Sequence, residues 1–316
     1  MPRRPAVLAN DALLLLTAAI WGFAFVAQRA GMQHVGPLWF TAVRFALGSV
    51  SLLPLVLIRR RARPRDQGAA PAAARPARFN PIAAGMLAGV VLFGGAILQQ
   101  AGMVWTSAGK AGFITGLYVV LVPLVGLFRG ERAGWVRWLA ALLALAGLFF
   151  LSVTRAFTLE QGDLLVLAGA FFWTAHVRLL GWLSPRTDPV ALSCVQFAVC
   201  SLASGVAGLF FEAVRVQSLL SAALPILYGG LLSVGVAYTL QVVAQRHAPP
   251  AHAAVLLSLE TVFAALGGAL VLGERLGPRG LLGCGLMFAA MTVSQLPLLA
   301  GERLAARWRL PIPPRR

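Results

Sequence analysis

The sequence predicts an all-α, polytopic membrane protein: ten transmembrane helices arranged as two inverted five-helix repeats. Three observations carry that prediction. Hydrophobic residues make up 59% of the 316 residues and charged residues 12%, about half the charged share usual in soluble domains. Ten apolar runs approach or reach the roughly 20 residues a helix needs to cross a bilayer core. One outline also occurs twice. SAGKAGFITGLYVVLVPLVGLFRGER, 107–132, and AHAAVLLSLETVFAALGGALVLGER, 251–275, are both apolar runs that stop at Gly-Glu-Arg.

The ten runs are 11–31, 37–58, 82–104, 109–128, 133–151, 162–183, 189–211, 219–243, 250–272 and 278–299. Their links are short except 59–81, which holds Arg59, Arg60, Arg61, Arg63, Arg65, Arg75 and Arg78 among Pro and Ala. That composition reads as a solvated cytoplasmic loop. An even number of crossings puts both termini on one side. With the amino terminus inside, the inside segments carry roughly 19 basic residues and the outside links about 5, counting those at the ends of the runs. The net charge of +17 is therefore loop charge obeying the positive-inside rule, and no nucleic-acid partner is expected. The expected topology is multi-pass, with both termini cytoplasmic. The first run lacks a cleavage site followed by a soluble domain, so it reads as a span and not as a signal peptide.

The halves align beyond their Gly-Glu-Arg stops. Ile20-Trp21-Gly22 corresponds to Phe172-Trp173-Thr174, Ala42-Val43-Arg44-Phe45-Ala46 to Cys194-Val195-Gln196-Phe197-Ala198, and Leu98-Gln99 to Leu240-Gln241. Five spans per copy is odd, so the second copy enters the membrane upside down. Such inverted repeats are a transporter signature, with the solute site near the midplane. The expected units are 10–152, 160–300 and a basic cytoplasmic tail, 301–316.

Polar groups inside the runs are the candidate site. Glu260 lies about ten residues into the ninth run, roughly 15 Å deep, where a carboxylate costs several kcal/mol unless paired, hydrated or protonated. Two readings stand for it: a group that titrates or binds a substrate amine, and a structural carboxylate tied to another helix. Arg44, about seven residues into the second run, either binds a carboxylate or carbonyls inside the bundle or snorkels to the interface. Gln99 and Gln241 occupy matching positions in the two halves. Trp21 and Trp173 sit near mid-span, away from an interfacial belt. They join Tyr118 and Tyr238 as aromatic lining. Pro123 is expected to kink the fourth run, and the spacing of Gly85 with Gly89 to permit close helix packing.

The order and number of these features, with ITGLYVVLVPLVG at 114–126 and SLETVFAALGGALVLGER at 258–275, resemble the EamA-type transporters of the drug/metabolite transporter superfamily over roughly residues 10–300. The resemblance implies a ten-helix inner-membrane carrier, mostly for export or exchange of metabolites such as amino acids, with the fifth and tenth helices as peripheral supports. One departure stands out: the family often has Pro after the Glu of the ninth span, and Thr261 stands there.

Enzyme chemistry is not expected. No Walker-type phosphate loop, Ser-His-Asp arrangement or His/Cys/Asp cluster is evident, and the spacing of Cys194, Cys200 and Cys284 fits no metal site. No cofactor and no metal are expected. The predicted function is a secondary carrier working by alternating access on a small-molecule substrate in the lipid bilayer, as a monomer or a homodimer. Proton coupling through Glu260 is left open. The rivals are a lipid or lipid-linked-sugar translocase of the same fold and a non-transporting membrane enzyme or subunit.

Overall fold

The computed structural model describes residues 4–61, 79–106, 108–131, 134–152, 160–272 and 277–299. The tail 301–316, most of the basic loop 59–81, and the second Gly-Glu-Arg at 273–275 lie outside the described residues, as does Arg132 of the first. Every element among the described residues is helical. In chain order they are α1 (Arg4–Gly31), α2 (Pro37–Arg61), α3 (Pro81–Gly102), α4 (Ala108–Gly116), α5 (Tyr118–Phe128), α6 (Trp135–Ser152) and α7 (Gln161–Leu183). After a 3₁₀ turn, Ser184–Arg186, come α8 (Pro189–Phe211), α9 (Val216–Ser221) and α10 (Ala223–Leu227). A π-helical stretch, Tyr228–Tyr238, follows, then α11 (Thr239–Ala244), α12 (Pro250–Ser258), α13 (Glu260–Leu272) and α14 (Pro278–Leu299).

Eight stretches of the described residues are long and apolar enough to cross a membrane. They fall on the expected runs one to four and six to nine. The fifth run is a shorter apolar helix, and the tenth is helical as well. Five helices, α2, α3, α8, α12 and α14, begin at Pro, whose fixed φ suits the first helical position and whose missing N–H leaves no bond unmade there. At two of these starts the side chain of the residue just before the Pro is the cap. Asn80 accepts from Ile82 N at 2.9 Å, and Asp188 accepts from Val190 N and Ala191 N at 3.1 and 3.0 Å.

The helices pack in a defined order. α6 lies against α14, α2 against α8, and α3 against both α7 and α8. The π-helical stretch packs on α1 and α2; α1 also meets α12 and α13, while α7 meets α4 and α5. Small residues allow the closest approaches. A Cβ added at Gly85 would sit 2.5 Å from Val195 Cβ, and one at Gly89 would sit 2.6 Å from Val199 Cβ. The expected close packing at this pair is therefore found where α3 crosses α8. Large apolar side chains such as Leu209, Phe211, Leu224 and Leu270 point outward and are mostly exposed, the pattern of a bundle whose solvent is lipid.

Three of the expected runs are broken: the fourth, the ninth and the eighth, which is interrupted at Ala222 between α9 and α10. The fourth divides at Leu117 and not at Pro123, which lies inside an unbroken α5. Pro123 has no N–H for the carbonyl one turn earlier, and the ladder around Leu117 tightens to i→i−3 bonds, Leu117 N to Ile114 O at 3.2 Å and Val120 N to Leu117 O at 3.0 Å. The ninth run divides at Leu259, whose N–H bonds Leu256 O at 3.3 Å. Thr261 in the place of Pro does not leave that helix continuous.

Candidate functional site

The breaks at Leu117 and Leu259, the π-helical stretch and residues of α1, α2, α3, α7 and α11 surround one central cavity. Trp21, Phe25 and Gln28 come from α1, Arg44 from α2, Gln99 from α3 and Thr115 from α4. Tyr118 comes from α5, Trp173 and Val177 from α7, Ser233 and Tyr238 from the π-helical stretch, Gln241 from α11, Leu257 from α12 and Glu260 from α13. The space between them is about 520 Å³ including its open side, of which about 40 Å³ admits the centre of a water molecule. It is a narrow chamber in which polar groups are set among aromatic and apolar side chains, with room for ordered water. All eight residues singled out from the sequence, Trp21, Arg44, Gln99, Tyr118, Trp173, Tyr238, Gln241 and Glu260, line it.

The aromatic side chains form its frame. Trp21 and Tyr238 lie with centroids 4.5 Å apart, and Trp173 stacks on Tyr238 at 6.3 Å with 25° between planes. Phe45 and Phe197 pack on the same Tyr238 ring at 5.9 and 6.0 Å. Hydrogen bonds fix the two indoles: Trp173 Nε1 donates to Gln99 Oε1 at 2.8 Å and Trp21 Nε1 to Ser233 O at 3.2 Å. Thr17 donates to Ala237 O at 3.2 Å and Tyr228 to Ile20 O at 2.9 Å, so α1 is laced to the π-helical stretch along its length.

The charged groups are the unusual part. Arg44 is 4% exposed and its Nε has no hydrogen-bond partner. It does not snorkel; its guanidinium lies over the rings of Phe40 and Phe45, 5.6 and 5.1 Å from their centroids. Glu260 is 5% exposed and accepts one long hydrogen bond, from Tyr118 OH at 3.4 Å. No ion pair within 4 Å joins Glu260 to Arg44, although both face the same cavity. A buried cation and a buried carboxyl thus remain separately available.

Several members were not singled out from the sequence. Gln28 lies seven residues, two turns, beyond Trp21 and so on the same face of α1; its buried Oε1 is unpartnered. Thr115 donates to Gln99 Oε1 at 3.4 Å. The π-helical stretch carries no local sequence mark. His176, in the second half of its helix, is fully buried and pairs with Gln196 Oε1 at 3.0 Å. His252, in the first turn of α12, meets Asp11 Oδ1 through Nε2 at 2.7 Å and Ser294 Oγ through Nδ1 at 3.1 Å, joining α12 to α1 and α14 in a buried cluster. Among the described residues no group of three His, Cys, Asp or Glu could hold a metal ion.

Comparison with known proteins agrees with this architecture. The EamA-like transporter family model matches twice, over residues 9–153 and 160–295. A protein of Archaeoglobus fulgidus described as an uncharacterized transporter is 30% identical over 288 residues, 90% of this chain and 85% of its own. The uncharacterized transporter YoaV of Bacillus subtilis is 22% identical over 293 residues, 89% of this chain and 97% of its own. A solved crystal structure superposes with a TM-score of 0.72 over 95% of this chain and 98% of that one at 19% identity, a likeness of fold. With its many apolar helices and the family model covering both halves, the chain is a multi-pass membrane protein belonging to the EamA-like transporter family.

Proposed function

We propose that this protein is a secondary carrier that moves small zwitterionic metabolites, amino acids or close relatives, out of the cell or in exchange, by alternating access. One observation carries the reading: Arg44 and Glu260 face a common chamber, each buried, neither neutralised by the other. An α-amino acid brings a carboxylate for the guanidinium and an ammonium for the carboxylate. Its binding offsets the cost of leaving both groups dry and unpaired. The stacked Trp21, Tyr238 and Trp173 rings supply an apolar wall for a side chain, and Gln99 and Gln241 supply amides that turn either face to the solute.

The transport cycle in this reading uses two inverted five-helix halves, 10–152 and 160–300, with ten crossings in all. The packing supports it: α3 on α7 mirrors the π-helical stretch on α1, and α3 on α8 mirrors that stretch on α2. Both termini and the basic links lie on the cytoplasmic side of the inner membrane. The lipid-translocase alternative draws less support, because the side chains that line the cavity are buried or half-buried.

Counterflow in proteoliposomes tests the reading. Vesicles preloaded with one amino acid should accumulate labelled amino acids from a panel, and Arg44→Ala and Glu260→Gln should abolish or sharply reduce this. No counterflow with any amino acid, or equal transport of analogues lacking either charge, would overturn it.

A further inference from the structure

A second concave space, separate from the central cavity, opens at the end of the bundle where α5 and α7 finish and α12 begins. About 650 Å³ of it is open to water-sized molecules, and none of its lining residues is shared with the cavity. One wall is apolar: Leu87 and Val91 of α3, with Leu87 half exposed and its neighbour Val90 exposed beyond it. The opposite wall carries three guanidiniums, those of Arg129, Arg178 and Arg186, against one carboxylate, Glu131.

That carboxylate is already used. Arg178 binds Glu131 and donates through Nη1 to Val122 O at 3.1 Å. Arg186 is held on the rim, donating to Trp182 O at 2.6 Å with its guanidinium 5.5 Å over the Trp182 ring. Neither Arg186 nor Arg129 has a carboxylate within 4 Å among the described residues. Trp182 in turn packs on Phe79 at 4.8 Å, an aromatic pair at a helix end, as found at membrane–water boundaries. The groove thus has a cationic side and an apolar side, and the apolar side runs on into the exposed face of α3 at Leu87 and Val90.

We propose that this groove binds one anionic glycerophospholipid of the leaflet at that end. A phosphodiester of net charge −1 meets Arg129 and Arg186, and an acyl chain lies along Leu87 and Val91. The chemistry excludes a choline or ethanolamine headgroup as the preferred occupant: its cation would enter a ring of guanidiniums whose sole acid is already paired. It also favours a lipid over free phosphate, which would leave the apolar wall uncovered. This site is distinct from the transport cavity, and its existence does not depend on what the cavity carries.

The test uses the full-length protein in nanodiscs doped with phosphatidylglycerol or phosphatidylcholine bearing brominated chains. Fluorescence quenching assigned to Trp182, taken as the difference between wild type and Trp182→Phe, should be stronger with the brominated phosphatidylglycerol. Combining Arg129→Gln with Arg186→Gln should lower the preference for that lipid roughly 30-fold, the factor expected for two basic side chains at an anionic leaflet. Millimolar glycerol 1-phosphate should not reverse the quenching. Equal quenching by the two lipids in the wild type overturns the proposal even if the double variant fails to fold. So does an undiminished preference in a folded double variant, and so does displacement by glycerol phosphate, which would make the groove a site for a soluble anion.

Discussion

Tyr118 donates to Glu260 across 3.4 Å, and each of the two is the first residue after the break in its own helix. The same 142 positions separate Tyr118 from Glu260 and Gln99 from Gln241. Corresponding points of the two halves therefore meet at the centre. A bond this long is weak, so the carboxyl group is positioned by Tyr118 without being used up by it.

Glu260→Gln keeps the size and the acceptor but loses the charge. If Glu260 binds the substrate ammonium, counterflow should fall about 10- to 100-fold, the worth of a charge-assisted hydrogen bond of about 1.5–3 kcal/mol. Tyr118→Phe should change it only about two- to threefold. Parallel initial rates in proteoliposomes distinguish the two; a wild-type rate in the Glu260→Gln variant would make the carboxyl structural.

Arg44→Lys retains a cation but gives up the planar stack on Phe40 and Phe45 and the forked geometry toward a carboxylate. Substrate affinity should drop about tenfold while the protein stays monodisperse. Arg44→Ala should lose binding altogether. Equilibrium binding by scintillation proximity with a labelled substrate reads both.

Gly22 stands beside Trp21 where α1 crosses α13. A Cβ there would lie 2.5 Å from Phe263 Cβ and 2.7 Å from Glu260 O. Gly22→Ala should cost about 1–3 kcal/mol through overpacking and displace Glu260. A lowered midpoint in thermal unfolding, together with impaired counterflow, is the expected result.

The carboxylate of Glu212, just past α8, caps the start of α2: Leu38 N reaches Oε1 at 2.9 Å and Trp39 N reaches Oε2 at 3.1 Å, while Trp39 Nε1 donates to Glu212 O at 3.2 Å. Glu212→Ala should destabilise by about 1–2 kcal/mol, with faster amide exchange at 38–41 as its local signature and little change in substrate affinity.

Much of the cavity is legible in the sequence because polar residues in apolar runs are expensive and therefore few. Arg44, Glu260, Gln99 and Gln241 stand out against Ala, Leu and Val, and the repeat gives their relative depth. The pairing of Asp11 with His252 is not legible: 241 positions separate them, and a His beside Pro249-Pro250 says nothing of what it will face. The break of the fourth run at Leu117 is not marked in the sequence either, since a proline names the carbonyl it orphans and not the residue where the ladder yields. The π-helical stretch Tyr228–Tyr238 is set by packing on α1 and α2, and its Gly, Ser and Val content predicts no such register.

The two tryptophans at matching places are anchored unequally. Trp173 holds the amide of Gln99, whereas Trp21 leans on the main chain at Ser233 and leaves the Oε1 of Gln241, the twin of Gln99, buried and idle. Under the alternating access proposed above, letting one indole go and seating the other would trade one bond for its mirror image, and a solute touching both amides would bias that exchange.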